Sequence, residues 1–489
     1  MSRGVRFAVA LLAVVLLAAP LGAEELSVVP AVVHLHSDFS TGQYTLDELT
    51  GMAERQGIAA LLLSENYLNR VEYGLPPFRA LTRVSQESPS VRGRLAEYLE
   101  HVARARAARP GVLLLPGVEA MPHYRWGGSP LTLELMLRDT QKNLLVFGIS
   151  DPATLAALPV VGNGAAGHYS LQSLVDAAPV LLAIPGGLLL LVKRRRHRLI
   201  GGATLVVAQR RWMPGLILCA IAAATLVRGW PFTQGAYSPY EDPGTAAHQA
   251  VIDFVERHGG AAVWSFPEAR DAGAQSVGPM RVTWATEPYP DDLLRTFRYT
   301  AFGAVYEDTT RLERVGGGWD RLLGQYAAGE RSRPAWGLGE SGFHDSNAGK
   351  RFGRVQTVFL VRERSEAGIL EALRQGRLYA LHRTPQTALT LAEFGVSSAD
   401  GTAVSGETLR APPNAPLSIA VALDASGVAA TDLKVVLIKD GVIAEAWAGA
   451  TPFRATHRQT WDGRPAVFRI EARGAGGRLL SSPIFVRPS

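Results

Sequence analysis

The 489-residue chain is poor in cysteine, and its single cysteine, Cys219, lies in an apolar segment. One cysteine excludes an intramolecular disulfide, so the chain is neither a disulfide-stapled domain nor a dithiol redox protein. Residues 193–211 lack acidic side chains and contain seven Lys and Arg. Because these cations, with Arg3 and Arg6, exceed the formal net charge of +6, the rest of the chain is mildly acidic. We therefore expect no nucleic-acid partner.

The N-terminal segment, residues 1–23, has the pattern of a secretory signal peptide. Arg3 and Arg6 precede an apolar run, and small residues stand at its end before two glutamates. Leu21 is not the small residue preferred three positions before a cleavage site, so an uncleaved anchor remains the alternative. In either case the pattern predicts that the following domain lies outside the cytoplasm.

A second apolar zone, residues 174–230, contains two uncharged stretches on either side of the basic loop 193–211. Each stretch is close to the lower limit of about 17–20 residues for a membrane span. Clustered Lys and Arg in a short loop stay on the cytoplasmic side. We predict a transmembrane helical hairpin in a bacterial-type inner membrane, with a cytoplasmic basic loop and extracytoplasmic domains. The alternative is a buried helix pair of a soluble core. The apolar part of the loop, 199–207, is too short to span and is predicted to be interfacial or re-entrant.

The most informative motif is the pair His34 and His36, which ends the apolar run 28–33. That run predicts a buried strand, and residues two apart on a strand face the same side. Two convergent imidazoles begin a transition-metal site. Thr45 and Glu48 then form a capping-box pattern that predicts a helix, and a second apolar run follows. Strand, loop, helix and strand make one step of a βα barrel, whose chemistry lies at the carboxyl ends of the strands.

These features resemble the PHP (polymerase and histidinol phosphatase) family, which consists of distorted βα barrels that bind up to three metal ions. The matching residues are His34, His36, Ser40 and Gly42 of the opening motif, Glu119 after Leu-Pro-Gly-Val, and His344 in the late motif Gly-Glu-Ser-Gly-Phe-His. The resemblance covers about residues 28–385, interrupted by the apolar zone. It implies a metal-dependent hydrolase acting on a small-molecule substrate.

Four positions depart from the family pattern, because Asn66, Asn143, Phe266 and Gly342 stand where the family has metal ligands. By resemblance, the losses spare one of the three metal positions. That position keeps His34, His36 and Glu119, and a catalytic zinc needs three protein ligands and one open position. The resemblance therefore implies one divalent metal ion, Zn or Mn, with His344 as the proton donor to the leaving group.

Three further residues are pocket candidates. Asp38 is predicted to orient a ligand histidine, with a turn or helix-capping role as the alternative. His123 follows Glu119 closely and either lines the pocket or lies on the loop surface. Glu340 is a candidate for the missing carboxylate ligand.

Two functions remain open from the sequence. One is hydrolysis, of a phosphoester as in the parent family or of an ester, amide or carbamate if only one metal is left. The other is a catalytically inactive PHP-like protein of the cell envelope that serves in binding or as a scaffold. The oligomeric state is not indicated.

From about residue 391 the pattern changes to short strands of period two, separated by Gly and Asp turns. The pattern predicts a C-terminal β-sandwich, and its end resembles the last module of extracytoplasmic PHP hydrolases related to carbaryl hydrolase. The predicted fold is α/β: a distorted PHP-type βα barrel split by a transmembrane helical hairpin, plus a β-sandwich. The predicted segments are 1–23, 24–173, 174–230, 231–390 and 391–489.

Overall fold

The computed structural model describes residues 26–307, 310–347, 349–427 and 430–489, so the predicted signal peptide lies outside the described residues. The strands are β1 Ser27–Leu35, β2 Ala60–Leu63, β3 Glu65–Asn66, β4 Arg70–Tyr73, β5 Val84–Glu87, β6 Leu113–Leu115, β7 Gly117–Ala120, β8 Arg125–Ser129, β9 Glu134–Arg138, β10 Leu144–Phe147, β11 Arg194–Ile200, β12 Ala203–Gln209, β13 Ala261–Trp264, β14 Asp271–Val277, β15 Met280–Thr286, β16 Ala301–Val305, β17 Trp336–Gly339, β18 Val355–Val361, β19 Leu378–Arg383, β20 Ala388–Ser398, β21 Gly401–Val404, β22 Thr408–Ala411, β23 Pro416–Ser426, β24 Asp432–Lys439, β25 Val442–Ala450, β26 Phe453–Thr460, β27 Ala466–Gly474, β28 Gly477–Ser481 and β29 Ile484–Pro488. The α-helices are α1 Leu46–Arg55, α2 Arg79–Thr82, α3 Leu95–Ala108, α4 Pro152–Ala156, α5 Leu171–Ala177, α6 Ala183–Leu191, α7 Trp212–Gly229, α8 Ala246–Arg257, α9 Pro290–Arg295, α10 Gly318–Ala327 and α11 Glu366–Gln375.

Two sheets surround the main core, and in two places the chain passes directly from one sheet into the other. The first contains the order β19-β18-β1-β2-β6, and the second is β17-β16-β13-β10-β7-β3. Ser64 separates β2 from β3 and Pro116 separates β6 from β7, so two stretches of chain contribute to both sheets. The pairing is mixed, since β10 runs antiparallel to both β7 and β13. The structure is therefore mixed α/β, and a single closed barrel remains a prediction.

The first βα step forms as the sequence predicts. The Thr45 side chain accepts a hydrogen bond from the Glu48 backbone N–H, and the Glu48 carboxylate accepts one from the Thr45 backbone N–H. This capping box satisfies two N–H groups at the start of α1. Helix α1 buries Leu46 and Leu49 against the core, and β2 then pairs in parallel with β1. The step brings the end of β1 to the edge of the site.

The C-terminal strands pack around a second apolar core. Strands β21, β20, β23 and β26 form one sheet, and β27, β28 and β29 belong to the large sheet through the pairing of β28 with β19. A buried ion pair, Arg469 to Asp320, joins β27 to α10 with Nε–Oδ1 and NH2–Oδ2 distances of 2.7 Å. The predicted boundary at residue 391 therefore lies within continuous sheet structure, and a separate sandwich remains a prediction.

Two helical stretches in the described chain are long and apolar enough to cross a membrane. They are Leu171–Leu191, with 21 residues, and Trp212–Gly229, with 18 residues. At about 1.5 Å per residue they extend roughly 31 and 27 Å, against a hydrocarbon core of about 30 Å. The first begins three residues before the predicted start at 174. Their large apolar side chains are mostly exposed; examples are Leu181 at 64% and Leu216 at 56%.

Glycines let the two apolar helices pack closely. A Cβ on Gly186 would lie 2.7 Å from Cys219 Sγ and 3.0 Å from the Gly215 carbonyl oxygen. Small residues at such contacts are typical of helix association in membranes. The basic loop between the helices forms a hairpin of β11 and β12, a secondary structure that the sequence analysis did not predict.

Candidate metal centre

The site forms where β1 leaves its regular path. The register of β1 against β2 shifts between Val33 and Leu35, and His34 between them has a φ of 67°. A non-glycine residue in this left-handed region costs about 1–3 kcal/mol and is typical of functional sites. Regular strand alternation alone therefore does not account for the convergence of His34 and His36, because a bulge turns the first ring.

The three predicted ligands converge as the sequence indicates. His34 Nε2 lies 3.1 Å from His36 Nε2 and 3.5 Å from Glu119 Oε1, and His36 Nε2 lies 3.4 Å from Glu119 Oε2. The two histidine side chains are buried, whereas the Glu119 side chain keeps 11% of its exposure. Solvent therefore reaches the cluster from the side of Glu119. In the described chain this is the one group of His, Cys, Asp or Glu with metal-ligand spacing.

Hydrogen bonds fix the tautomers of both histidines. The carboxylate of Glu340 accepts from His34 Nδ1 at 2.6 Å. Ser40 donates its hydroxyl proton to Glu65, so its oxygen accepts from His36 Nδ1 at 3.3 Å. Both Nε2 atoms then carry lone pairs, and with the Glu119 oxygens they present only acceptors to one another. Partners of this kind are how proteins orient metal-binding histidines.

The donor set fits one divalent ion. Three acceptor groups that face one another repel unless a cation lies between them. Tetrahedral zinc with bonds of 2.0–2.2 Å separates neighbouring ligand atoms by about 3.3–3.6 Å. The observed separations of 3.1, 3.4 and 3.5 Å are close to this range. The fit therefore rests on both chemistry and spacing.

The pKa shifts show the same demand for positive charge. Burial by itself lowers the pKa of His34, but Glu119 and Glu340 outweigh it and raise that pKa to about 9. Burial raises the pKa of Glu119, but His34 and His36 outweigh it and hold that pKa well below its usual value. In the absence of a metal ion, a proton on His34 supplies the positive charge beside Glu119.

Glu340 is not a fourth member of the cluster, contrary to the prediction that it replaces a ligand. Its carboxylate accepts from His34 Nδ1, from the Ser265 hydroxyl at 2.6 Å and from the Phe266 N–H at 2.9 Å. Gly303 makes room for it, since a Cβ there would lie 1.8 Å from Glu340 Oε2. Glu340 therefore orients His34 from the side away from the cluster.

Glu65 orients the other half of the opening motif, a role that the sequence analysis missed. It is fully buried, accepts from the Ser37 N–H at 2.9 Å and also accepts from the hydroxyls of Ser37 and Ser40. Burial raises its pKa, although His36 and the two serines oppose that shift. The available signal was a glutamate next to an apolar strand segment, together with two serines, Ser37 and Ser40, that follow the histidine pair and precede the helix cap Thr45.

The four substituted positions surround the cluster without adding a ligand. Asn143 Nδ2 donates to Glu119 Oε1 at 2.9 Å, and Asn66 Nδ2 donates to Thr41 Oγ1 at 2.9 Å. The Phe266 ring stacks on His34, with centroids 5.1 Å apart. A Cβ on Gly342 would lie 2.6 Å from Lys350 Nζ.

His344 lies against the cluster as a stacked ring. Its centroid is 4.0 Å from that of His36 and the rings are nearly parallel, while its Nδ1 lies 3.0 Å from Thr41 Oγ1. Burial, followed by the charges of His36 and His34, lowers its pKa to about 3. The ring is therefore neutral near pH 7, and accepts a proton before it can donate one.

The other two pocket candidates do not belong to the cluster of His34, His36 and Glu119. Asp38 is exposed, and Glu340 and Ser40 occupy the ring nitrogens that it was predicted to orient, so that prediction is wrong. His123 is buried and not on the loop surface, and its Nε2 donates to the Ser238 carbonyl at 3.0 Å.

Three solved structures are similar to this chain at low sequence identity. A two-domain protein from Bacteroides vulgatus ATCC 8482, described as containing a PHP-like metal-dependent phosphoesterase, is 14% identical, with 91% of this chain and 92% of that chain covered at a TM-score of 0.36. An amidohydrolase from Chromobacterium violaceum is 17% identical, with 65% and 88% covered at a TM-score of 0.27. A protein from Bifidobacterium adolescentis ATCC 15703, described as a metal-dependent phosphoesterase, is 12% identical, with 66% and 90% covered at a TM-score of 0.28.

The first of these descriptions names the family that the sequence motifs resemble. No family model and no curated protein matches the chain.

Proposed function

We propose that the chain is a membrane-anchored, PHP-type metal-dependent hydrolase with a mononuclear site. The observation that carries the proposal is the triangle of acceptor atoms from His34, His36 and Glu119, which is supported from behind by Glu340 and Ser40. The chemistry that a divalent ion supplies when bound there is activation of water and polarisation of a phosphoryl or carbonyl group.

The protein's own residues hold and supply protons around that position. Glu340 and Ser40 keep both Nε2 lone pairs directed at the cluster, and Asn143 donates to Glu119 from the opposite side. His344, neutral and stacked on His36, accepts a proton from the attacking water and returns it to the leaving group. With one metal position, an ester, amide or carbamate competes with a phosphoester as substrate.

The membrane anchor is the second part of the proposal. The two apolar helices expose their large side chains and contact each other through Gly186 and Gly215, which supports a lipid environment for them. The basic loop between them supports a cytoplasmic location of the turn in a bacterial-type inner membrane. The metal cluster and the C-terminal strands then lie outside the cytoplasm.

The test is metal content of the full chain purified in mild detergent. The wild type is expected to contain close to one Zn or Mn per chain and to melt at higher temperature with added zinc. Glu119→Gln removes the negative charge that holds the cation and should lower metal affinity by at least the roughly 10–100-fold that the loss of an orienting partner costs. His344→Asn should keep the metal and lose turnover only.

His123→Asn is the matched control, because it removes a buried histidine outside the cluster. It should leave metal content unchanged. A wild type without metal and without zinc-dependent stabilisation would favour the alternative, a catalytically inactive envelope protein. In that case Glu119→Gln should not reduce stability.

A further inference from the structure

A cavity outside the proposed centre is lined by a concentration of positive charge. Five of its lining residues are basic: Arg55, Lys350, Arg351, Arg354 and Arg383. None of the remaining lining residues is Asp or Glu. The cavity has a volume of about 720 Å³ and lies between the end of α1, the segment before β18 and the end of β19. It is within the range of about 300–1,000 Å³ that small-molecule sites occupy.

The five cations outnumber the carboxylates beside them. Glu307 accepts a hydrogen bond from the Arg351 backbone N–H at 3.1 Å, and none of the described residues that line the cavity is a carboxylate. Arg109 beside α1 shows the usual arrangement, since it pairs with both Asp47 and Glu54. The side chains of two cavity arginines each donate one hydrogen bond. Arg354 Nε donates to His382 Nε2, and Arg383 Nε donates to the Thr384 carbonyl oxygen. A cavity lined by five cations and by no described carboxylate favours an anionic ligand.

Lys350 connects the cavity to the metal cluster. Its ammonium lies 4.0 Å from the centre of the Phe266 ring, and that ring stacks on His34. It also fills the space that a side chain at Gly342 would occupy. A ligand in the cavity would therefore lie close to the proposed reaction centre.

We propose that this cavity binds a phosphate-bearing small molecule. A phosphate group presents several charged oxygens and suits the paired N–H groups of arginine. A single carboxylate would leave most of the five charges uncompensated. The part of the inference that makes this molecule the substrate rests on the proposed function; the binding site itself does not. If both hold, the substrate has a phosphate held by the cavity and a second, scissile bond near His34 and Glu119.

Inorganic pyrophosphate is the probe, titrated calorimetrically into the full chain in detergent with a chelator present. The wild type should bind one pyrophosphate per chain, more weakly at high salt. Arg351→Gln and Arg55→Gln should each weaken binding about tenfold or more, because a hydrogen bond to a charged group is lost. Both arginines are exposed, so the variants should keep the melting temperature of the wild type.

Arg257→Gln is the matched control, since Arg257, like Arg55, is an exposed arginine in the last turn of a helix but lies outside the cavity. It should bind pyrophosphate as the wild type does. Equal affinity of Arg55→Gln, Arg351→Gln and Arg257→Gln, or no saturable binding by the wild type, would overturn the proposal.

The chelator separates this proposal from the proposed function. Glu119→Gln should lose metal and keep pyrophosphate binding, whereas Arg351→Gln should keep metal and bind pyrophosphate about tenfold more weakly or worse. Pyrophosphate binding by a chain that never contains metal would leave the anion site standing and refute the hydrolase. A metal-containing chain that does not bind pyrophosphate would refute the anion site alone.

Discussion

At the scale of single residues, the site depends on buried carboxylates whose roles differ by what they face. Glu119 faces two lone pairs, so it needs a cation. Glu340 and Glu65 face N–H and O–H donors, so their charge is satisfied by hydrogen bonds. Identity and spacing along the chain do not reveal this difference, which is why Glu340 was predicted as a ligand. The direction of the neighbouring donors decides it.

The first residue-scale prediction concerns Gly303, which lies in β16 against Glu340. Gly303→Ala would place a Cβ 1.8 Å from Glu340 Oε2, so the carboxylate must move away from His34. We expect a loss of about 1–3 kcal/mol of stability from overpacking. We also expect weaker metal binding, by about 10–100-fold, because the histidine loses its orienting partner.

Gly324→Ala is the control for this substitution, because Gly324 lies in α10 and a Cβ there meets nothing within 4 Å. It should stabilise the protein by up to about 1 kcal/mol, since alanine is the better helix former. Urea unfolding and metal titration measure both effects. Unchanged metal affinity in Gly303→Ala would show that Glu340 does not support the cluster.

At the scale of elements, the sequence located helices and strands well where the pattern was strong. The capping-box pattern of Thr45 and Glu48 predicted a helix, and α1 forms there at Leu46–Arg55. The sequence did not predict the four-stranded sheet of β8, β9, β14 and β15. Its strands contain Gly and polar residues, so apolar and polar residues alternate only weakly along them. The β-hairpin in the basic loop was also not predicted, because the many Lys and Arg residues there hide the alternation of a strand.

Helix α8 contains a buried histidine, His248. His248 is buried, stacks on Trp264 with centroids 4.8 Å apart, and donates from Nε2 to the Lys142 carbonyl at 3.0 Å. Its Nδ1 is buried and has no partner in the described structure. Burial lowers the pKa of His248 to about 3. The folded chain therefore keeps this ring neutral.

The element-scale prediction is a pH dependence of stability from His248. Between about pH 6.5 and 3 the unfolded chain binds a proton that the folded chain does not, so its contribution is complete above pH 6.5. Below that pH, stability should fall by up to about 1.4 kcal/mol per pH unit. His248→Gln should be less stable at pH 7.5 but lose about 2 kcal/mol less than the wild type between pH 7 and pH 5.

Urea unfolding at several pH values measures this slope. His258→Gln is the control, because it removes an exposed histidine at the end of the same helix. Its slope should match that of the wild type. Identical slopes for all three proteins would mean that His248 takes up its proton in the folded state.

At the scale of the whole molecule, the apolar hairpin interrupts one continuous structure. Strand β10 precedes the hairpin and β13 follows it, and the two strands pair directly. Glu119 lies before the hairpin, whereas Glu340 and His344 lie after it, and all of them meet at His34 and His36. Both halves must therefore be on one side of any membrane. The sequence could predict that both halves lie on one side, because its motifs assign residues from before and after the hairpin to the same site.

The whole-molecule prediction is that the chain crosses the membrane twice and that residues 193–211 lie in the cytoplasm. An even number of crossings is required by the pairing of β10 with β13, and two exposed apolar helices are present. Reporter fusions after residues 165 and 245 should both be active only outside the cytoplasm, and a fusion within 201–202 should report the cytoplasm. Replacing the arginines at 194, 195, 210 and 211 with glutamine should weaken this orientation, because retained positive charge sets it. Opposite locations for the fusions at 165 and 245 would contradict the hairpin and, with it, the shared site, since half of the cluster would then be on the other side of the membrane.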